Sequence, residues 1–203
     1  DGHHRSAAAS RVRQIRQKNN PYHKGNEEYN YFLTVCFPDN QMNIMPYNRV
    51  LKDLNGLTKQ EFLIKIKEKF EVYESDSSSP VAPHQFCMYL DGQWFLLKAK
   101  TDIITSDPVK SLDVSILQDN ILFPLLGIVD PRKDKRINFV GGIKGTQELR
   151  RVVDSKEYAI AFSLYPITVK QIMDIADSGN ILPPKSTWFE PKLKSGLFVH
   201  ELE

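Results

Sequence analysis

The sequence predicts an α+β fold with a mixed, largely antiparallel sheet and helices packed on it, and three observations carry that expectation. Asp91-Gly92 separates two apolar, β-prone runs, Gln85–Leu90 and Gln93–Ala99, and supplies the positive φ angles of a tight hairpin turn. Thr58 and Thr168 are each followed three positions later by Glu61 and Gln171, the pairing that closes a helix start. Strand-like and helix-like stretches then succeed one another without regular βα alternation, which argues against a doubly wound sheet.

The elements follow in order. Residues 6–18 hold good helix formers with no Gly or Pro, and Asn19-Asn20-Pro21 ends the run. Aromatic and β-branched residues over 29–37 predict a strand, with 41–51 as its antiparallel neighbour. From Thr58, apolar Phe62, Leu63, Ile66 and Phe70 recur at helical spacing, predicting a helix to about residue 70. The serine-rich stretch 75–80 is a loop, and the hairpin follows. Asp107-Pro108 places a cap and a first-turn proline before an apolar helix running to about residue 127. Residues 137–140 read as a strand entering Gly141-Gly142, followed by a helix over 146–153. Residues 158–165 are almost continuously apolar, which fits a strand covered on both faces. The helix from Thr168 ends at Gly179. Pro183-Pro184 stiffens a loop, and 196–202 is a final short strand.

The 203 residues suffice for a sizeable core, as a single domain or as the C-terminal portion of a larger one. Hydrophobic residues are 41% and charged residues 26%, ordinary globular usage that excludes a disordered chain. With 27 Lys and Arg against 25 Asp and Glu, a net charge of +2 does not advertise nucleic acid or an anionic membrane. The basic first helix (Arg11, Arg13, Arg16, Lys18) therefore reads as a solvated face, all the more because no helix-turn-helix pattern accompanies it. No apolar run reaches membrane-spanning length and no leader is visible, so a cytoplasmic location is expected. Cys36 and Cys87 both sit in apolar runs and are expected as buried free thiols. His23, His84 and His200 are isolated, so no metal site is expected. The chain opens on Asp1 without methionine, as a processed protein or a fragment would.

Several stretches suit an anion. Asp1-Gly2-His3-His4-Arg5 stands immediately before a helix, where free backbone amides and the positive end of the dipole favour phosphate. Arg5 adds a bidentate donor, and His3 or His4 could donate a hydrogen bond or move a proton. Gly141-Gly142, with Lys144 and Gly145, lies between a strand and a helix; it is either a second anion turn or a tight turn needing glycine. Lys185, Ser186 and Thr187 join a cation to two hydroxyls beside Trp188 and Phe189, which serve as core anchors or as a surface for a base. Arg49, in Tyr47-Asn48-Arg49, is a further anion contact or one half of a surface ion pair.

These motifs resemble a known family. Asp1-Gly2-His3-His4-Arg5, Tyr47-Asn48-Arg49, Leu112-Asp113-Val114-Ser115, Phe139-Val140-Gly141-Gly142, the run from Pro183 to Phe189, and Ser195-Gly196-Leu197-Phe198 look like the C-terminal half of the bacterial and archaeal family catalogued as domain of unknown function 1015. The resemblance runs the length of the chain and implies a large N-terminal part beyond it. The opening motif is also similar to one in the ParB and sulfiredoxin superfamily, whose free serine kinase carries Asp-Gly-His-Thr-Arg. That similarity implies a ParB/sulfiredoxin-like fold at the motif. It implies Gly2, His3, His4 and Arg5 on phosphates, with Asp1 as polar support.

His4 stands where the kinase has threonine. Sulfiredoxin's cysteine is missing from the turn, which argues against sulfinic acid reduction. The catalytic candidates are then Asp1, His3 and His4; the phosphate or nucleotide candidates are Gly2, Arg5, Gly141, Gly142, Lys144, Lys185, Ser186 and Thr187, with Arg49 as another anion contact. The function implied for the parent protein is a nucleotide-dependent kinase acting on a small hydroxylated metabolite such as serine, using Mg²⁺ and ATP or ADP. The alternative is a non-catalytic nucleotide- or metabolite-binding regulatory module, and a third reading is a structural half-domain. The expected partners are thus a small-molecule substrate and a nucleotide.

Overall fold

The computed structural model describes residues 3–192, 194 and 196–202, with side chains from residue 5 onward other than residue 39. It divides into two compact units, Asp1–Asn43 with Pro191–Glu203, and Ile44–Glu190.

The first unit is built on helix α1 (His3–Asn19). Tyr29 is its buried aromatic residue, and its hydroxyl meets Asn20 Nδ2 at 3.1 Å and His23 Nδ1 at 2.8 Å. Arg16 donates to the carbonyl of Leu202 at 3.2 Å, tying the C-terminal tail to the helix. The expected strand over 29–37 is absent. Glu28–Asn30 form one 3₁₀ turn, and 31–38 have no regular structure. β-Propensity needs a partner to become a strand, and no described strand pairs with this segment. Its Tyr31, Phe32, Leu33 and Val35 are consequently exposed, as is Cys36, which the sequence placed in a core. The expected strand over 196–202 is likewise irregular, with Leu197, Phe198 and Val199 exposed.

The second unit holds a seven-stranded sheet: β1 (Asn43–Leu51), β2 (Phe70–Glu74), β3 (Gln85–Leu90), β4 (Gln93–Ala99), β5 (Ile137–Gly141), β6 (Ile160–Leu164) and β7 (Thr187–Glu190). The strand order is β2-β4-β3-β6-β1-β5, with β7 also pairing β1. The hairpin forms where Asp91-Gly92 places it, with φ values of 50° and 81°. Five registers are antiparallel, including β3 with β6 and β1 with both β5 and β6. The α+β expectation thus holds, although β1 takes β5, β6 and β7 as neighbours instead of residues 29–37.

Side chains alternate across each strand, and the two faces bury different cores. On one, Leu51, Phe86, Met88, Phe162 and Leu164 pack against Phe62 and Ile66 of α2 (Lys59–Ile66), the helical stretch 112–122, and Ile175 of α5 (Val169–Asp177). On the other, Val50, Cys87, Tyr89 and Ala161 pack against Leu149, Val152 and Val153 of α4 (Gly145–Asp154). Strand β6 is buried along its whole length, as its continuous apolar run requires.

Two helices differ from expectation. α2 stops at Ile66, and the alternating Phe70-Glu71-Val72-Tyr73-Glu74 leaves as edge strand β2. The stretch from Asp107 begins as capped turns, Asp107 Oδ1 accepting from the amides of Val109 and Lys110. It then becomes α3 (Asp113–Leu117) and a π-helical turn, Gln118–Leu122. No helix among the described residues is long and apolar enough to cross a membrane. Both capping boxes form, at Thr58 with Glu61 and at Thr168 with Gln171. Thr58→Ala removes the first and is expected to cost about 1 kcal/mol, read as a lower urea midpoint at unchanged m-value.

Candidate functional site

Arg49 lies near the C-terminal end of β1, opposite Phe139 of β5 and Phe162 of β6, on the same sheet face as Leu51. Only 4% of it is exposed. Its guanidinium lies 5.2 Å from the Phe139 ring centroid, within cation–π range. It donates to the carbonyl of Tyr47 and, at 3.0 Å, to that of Lys185. No carboxylate among the described residues pairs with it. Burial pulls its pKa down to about 9, so it remains charged at neutral pH. A buried cation served by two neutral carbonyls and one ring keeps unspent donors and uncompensated charge.

Of the two residues whose carbonyls accept from Arg49, one is itself a cation. Lys185 has a left-handed backbone, φ 55°, and its ammonium lies 5.2 Å from the Tyr47 ring centroid. It too has no ion pair among the described residues. Tyr47 meets Trp188 edge-on at 5.4 Å, and the Trp188 indole donates to Glu190 Oε1 at 2.7 Å. The loop before β7 is stiffened from inside, where buried Ser186 donates its hydroxyl to Pro183 O at 2.5 Å. That bond occupies the hydroxyl proton. Thr187 is the first, half-buried residue of β7.

Gly141 and Gly142 belong to the same assembly through packing. A Cβ on Gly141 would lie 2.4 Å from Trp188 Cε3, and one on Gly142 would lie 2.7 Å from Met45 Cβ. Gly141 has φ −60° and ψ 140°, open to any residue, so close approach makes glycine necessary there. Lys144 follows in a 3₁₀ turn and acts on Glu148; that carboxyl is lowered first by hydrogen bonding to Arg151 and less by Lys144. No described contact joins Lys144 to Arg49 or Lys185.

Three sequence motifs therefore meet in one place: Tyr47-Asn48-Arg49, Phe139 through Gly142, and Pro183 through Trp188. Asn48 points to the other face, where its Oδ1 accepts from the Leu164 amide at 3.2 Å and locks β1 to the end of β6. The N-terminal candidates lie in the first unit. Asp1 and Gly2 are outside the described residues, His3 and His4 open α1 without described side chains, and Arg5 is exposed on that helix.

No described contact joins Asp113 to this cluster. It is 7% exposed, its Oδ1 accepts from the His84 amide at 2.8 Å, and its Oδ2 is buried without a partner. Desolvation raises its pKa to about 7, partly offset by that amide. Sequence reasoning quoted this residue in a motif but gave it no role. The available signal was a carboxylate set among core residues Leu112, Val114 and Ile116.

Arg49 on β1 and Lys185 in the loop before β7, neither with a carboxylate partner among the described residues, make a candidate anion site. The chain belongs to a family described as protein of unknown function, DUF1015, whose model matches residues 1–115. No curated protein matches it. Among solved structures it is similar to a free serine kinase in complex with AMP, at 14% identity and a TM-score of 0.46, over 73% of this chain and 54% of that one. A mutant free serine kinase in complex with ADP gives 16% identity and a TM-score of 0.41 over the same shares. A conserved hypothetical protein from Pyrococcus furiosus gives 15% and 0.44, over 74% of this chain and 57% of that one. The chain thus spans a little over half the length of these structures.

Gly141→Ala forces a methyl into the Trp188 ring while leaving the backbone unstrained. The expected loss is about 1–3 kcal/mol, seen in urea denaturation together with a changed tryptophan emission.

Proposed function

We propose that this chain binds the phosphate of a nucleotide through Arg49 and Lys185, and that the intact protein is a nucleotide-dependent kinase acting on a small hydroxylated metabolite such as serine. The observation that carries the binding step is Arg49, a guanidinium 4% exposed with no carboxylate partner among the described residues. Isolated buried charge is costly, and a phosphate matches the fork of a guanidinium in both charge and geometry. Lys185 supplies a second point charge to the same anion, and the half-buried Trp188 and Tyr47 offer ring surface beside it. The kinase reading rests on the similarity of Asp1-Gly2-His3-His4-Arg5 to the superfamily motif, with α1 starting inside that motif.

Phosphoryl transfer asks chiefly for positioning and charge neutralisation, and the cations are suited to both. The same residues do not fit Mg²⁺. Arg49 and Lys185 are cationic donors, whereas the ion takes oxygen ligands, commonly one or two carboxylates together with the nucleotide's phosphates. A divalent ion would arrive on the nucleotide. The absence of a described carboxylate at Arg49 or Lys185 also leaves that cluster without a general base. The second reading, for residues 1–203 by themselves, is a module that binds nucleotide without turning it over.

Arg49→Met tests the proposal because it separates binding from folding. Replacing a buried charge by an apolar side chain of similar length is expected to leave stability unchanged or raise it by about 1 kcal/mol or more. Calorimetric affinity for ADP and ATP is expected to fall at least tenfold. Undiminished affinity in that variant, or no binding of either nucleotide to the unmodified protein, rejects the phosphate role of Arg49. Failure of the full-length protein to form phosphoserine with any nucleotide rejects the kinase.

A further inference from the structure

The carboxyl of Asp113 joins three segments that meet beside the sheet. Its Oδ1 holds the amide of His84, the residue just before β3, which has φ 64°. The His84 ring is in turn 3.2 Å, through Nε2, from the carbonyl of Ser111, two residues before Asp113. Oδ2 is buried with no hydrogen-bond partner, and the carboxyl borders a cavity of about 10 Å³. Pro83 forms one wall; Tyr165, Pro166, Ile167 and Gln171, between β6 and the first turn of α5, form the other. Such a volume is at the lower limit for one water molecule. Gln171 Oε1 is already engaged by the Thr168 amide and hydroxyl in the capping box. Apart from Asp113, no charged side chain among the described residues lines the cavity. The titratable neighbours are His84 on the β3 side and Tyr165 on the α5 side.

We propose that Asp113 is a proton-controlled latch, which in its neutral form keeps the Pro83–His84 segment closed against residues 165–171 and on losing its proton opens that seam to water. The physical reason is the asymmetry of its two oxygens. A neutral carboxyl tolerates that pocket with one amide donor. A carboxylate there has a buried oxygen that no protein donor among the described residues reaches, a state that is relieved by separating the walls. The device is independent of the phosphate reading, since it involves neither Arg49 nor Lys185. Burial places the transition near neutrality, where a carboxyl in water would already be ionised. The closed state binds the proton more tightly than the open one, so closure is fully favoured below the ordinary carboxyl pKa of about 4, weakens by about tenfold per pH unit above it, and stops weakening once pH passes about 7.

Hydrogen exchange by mass spectrometry at pH 6 and pH 8.5, corrected for intrinsic chemistry, reads the seam directly. Opening of peptides covering 83–86 and 165–171 is expected to rise roughly tenfold at the higher pH, nearly all of it below the point where the closed-state carboxyl is fully ionised, and to be independent of pH in Asp113→Asn. An unchanged rate in the unmodified protein, or the same rise in the variant, overturns the latch. Should the variant not fold, carboxyl ¹³C NMR of the unmodified protein decides. A midpoint near 7 for Asp113 supports it, and one below 5 overturns it.

Discussion

The arrangement around Arg49 depends on one electrostatic constraint, a guanidinium held inside the protein without a carboxylate among the described residues. Moving such a group out of water costs several kcal/mol even after the surroundings relax. What offsets the cost is modest: the Tyr47 and Lys185 carbonyls and the Phe139 ring. A side chain serving only packing at that place would be better apolar, as Leu51 is two positions on along the same strand and face. The charge is therefore the feature that needs an explanation, and an external anion supplies one.

The rest of the second unit fixes where that charge sits. β1 lies between β5 and β6, so both its edges are hydrogen-bonded and Arg49 cannot swing out with its backbone. Asn48 ties the same strand to the Leu164 amide on the opposite face. The loop before β7 closes over the strand through Lys185 and Trp188. Glycine at 141 and 142 is what allows the Trp188 ring and the Met45 side chain to approach so closely. Cation, aromatic and glycine motifs far apart in the chain are thus parts of one packed arrangement, whose backbone rigidity would hold the donors ready for the proposed anion.

The parts of this fold legible in the sequence are those written locally. Asp91-Gly92 specifies its turn by the φ angles it permits, the capping boxes at Thr58 and Thr168 mark their helices, and the unbroken apolar run of β6 announces a strand buried on both faces. Residues 29–37 show the limit of such reading, because β-prone composition describes a willing strand and says nothing of a partner. Glu71, Val72 and Tyr73 show the converse: a short alternating segment is hidden by the helical spacing before it. At the site, Arg49, Lys185, Gly141 and Trp188 were all visible as residues of interest. Their convergence was not visible, because it depends on the pairing of β1 with β5 and β7, which no local pattern encodes. The lone oxygen of Asp113 is likewise a product of tertiary packing.

The most direct test is side-chain NMR of ¹⁵N-arginine-labelled protein during titration with inorganic phosphate. The account predicts that the Arg49 Nε–H resonance shifts saturably, and that chloride at equal ionic strength leaves it in place. If Arg49 stays unmoved while phosphate binds elsewhere, or if no arginine responds, the buried guanidinium is not an anion site and the functional account built on it is wrong.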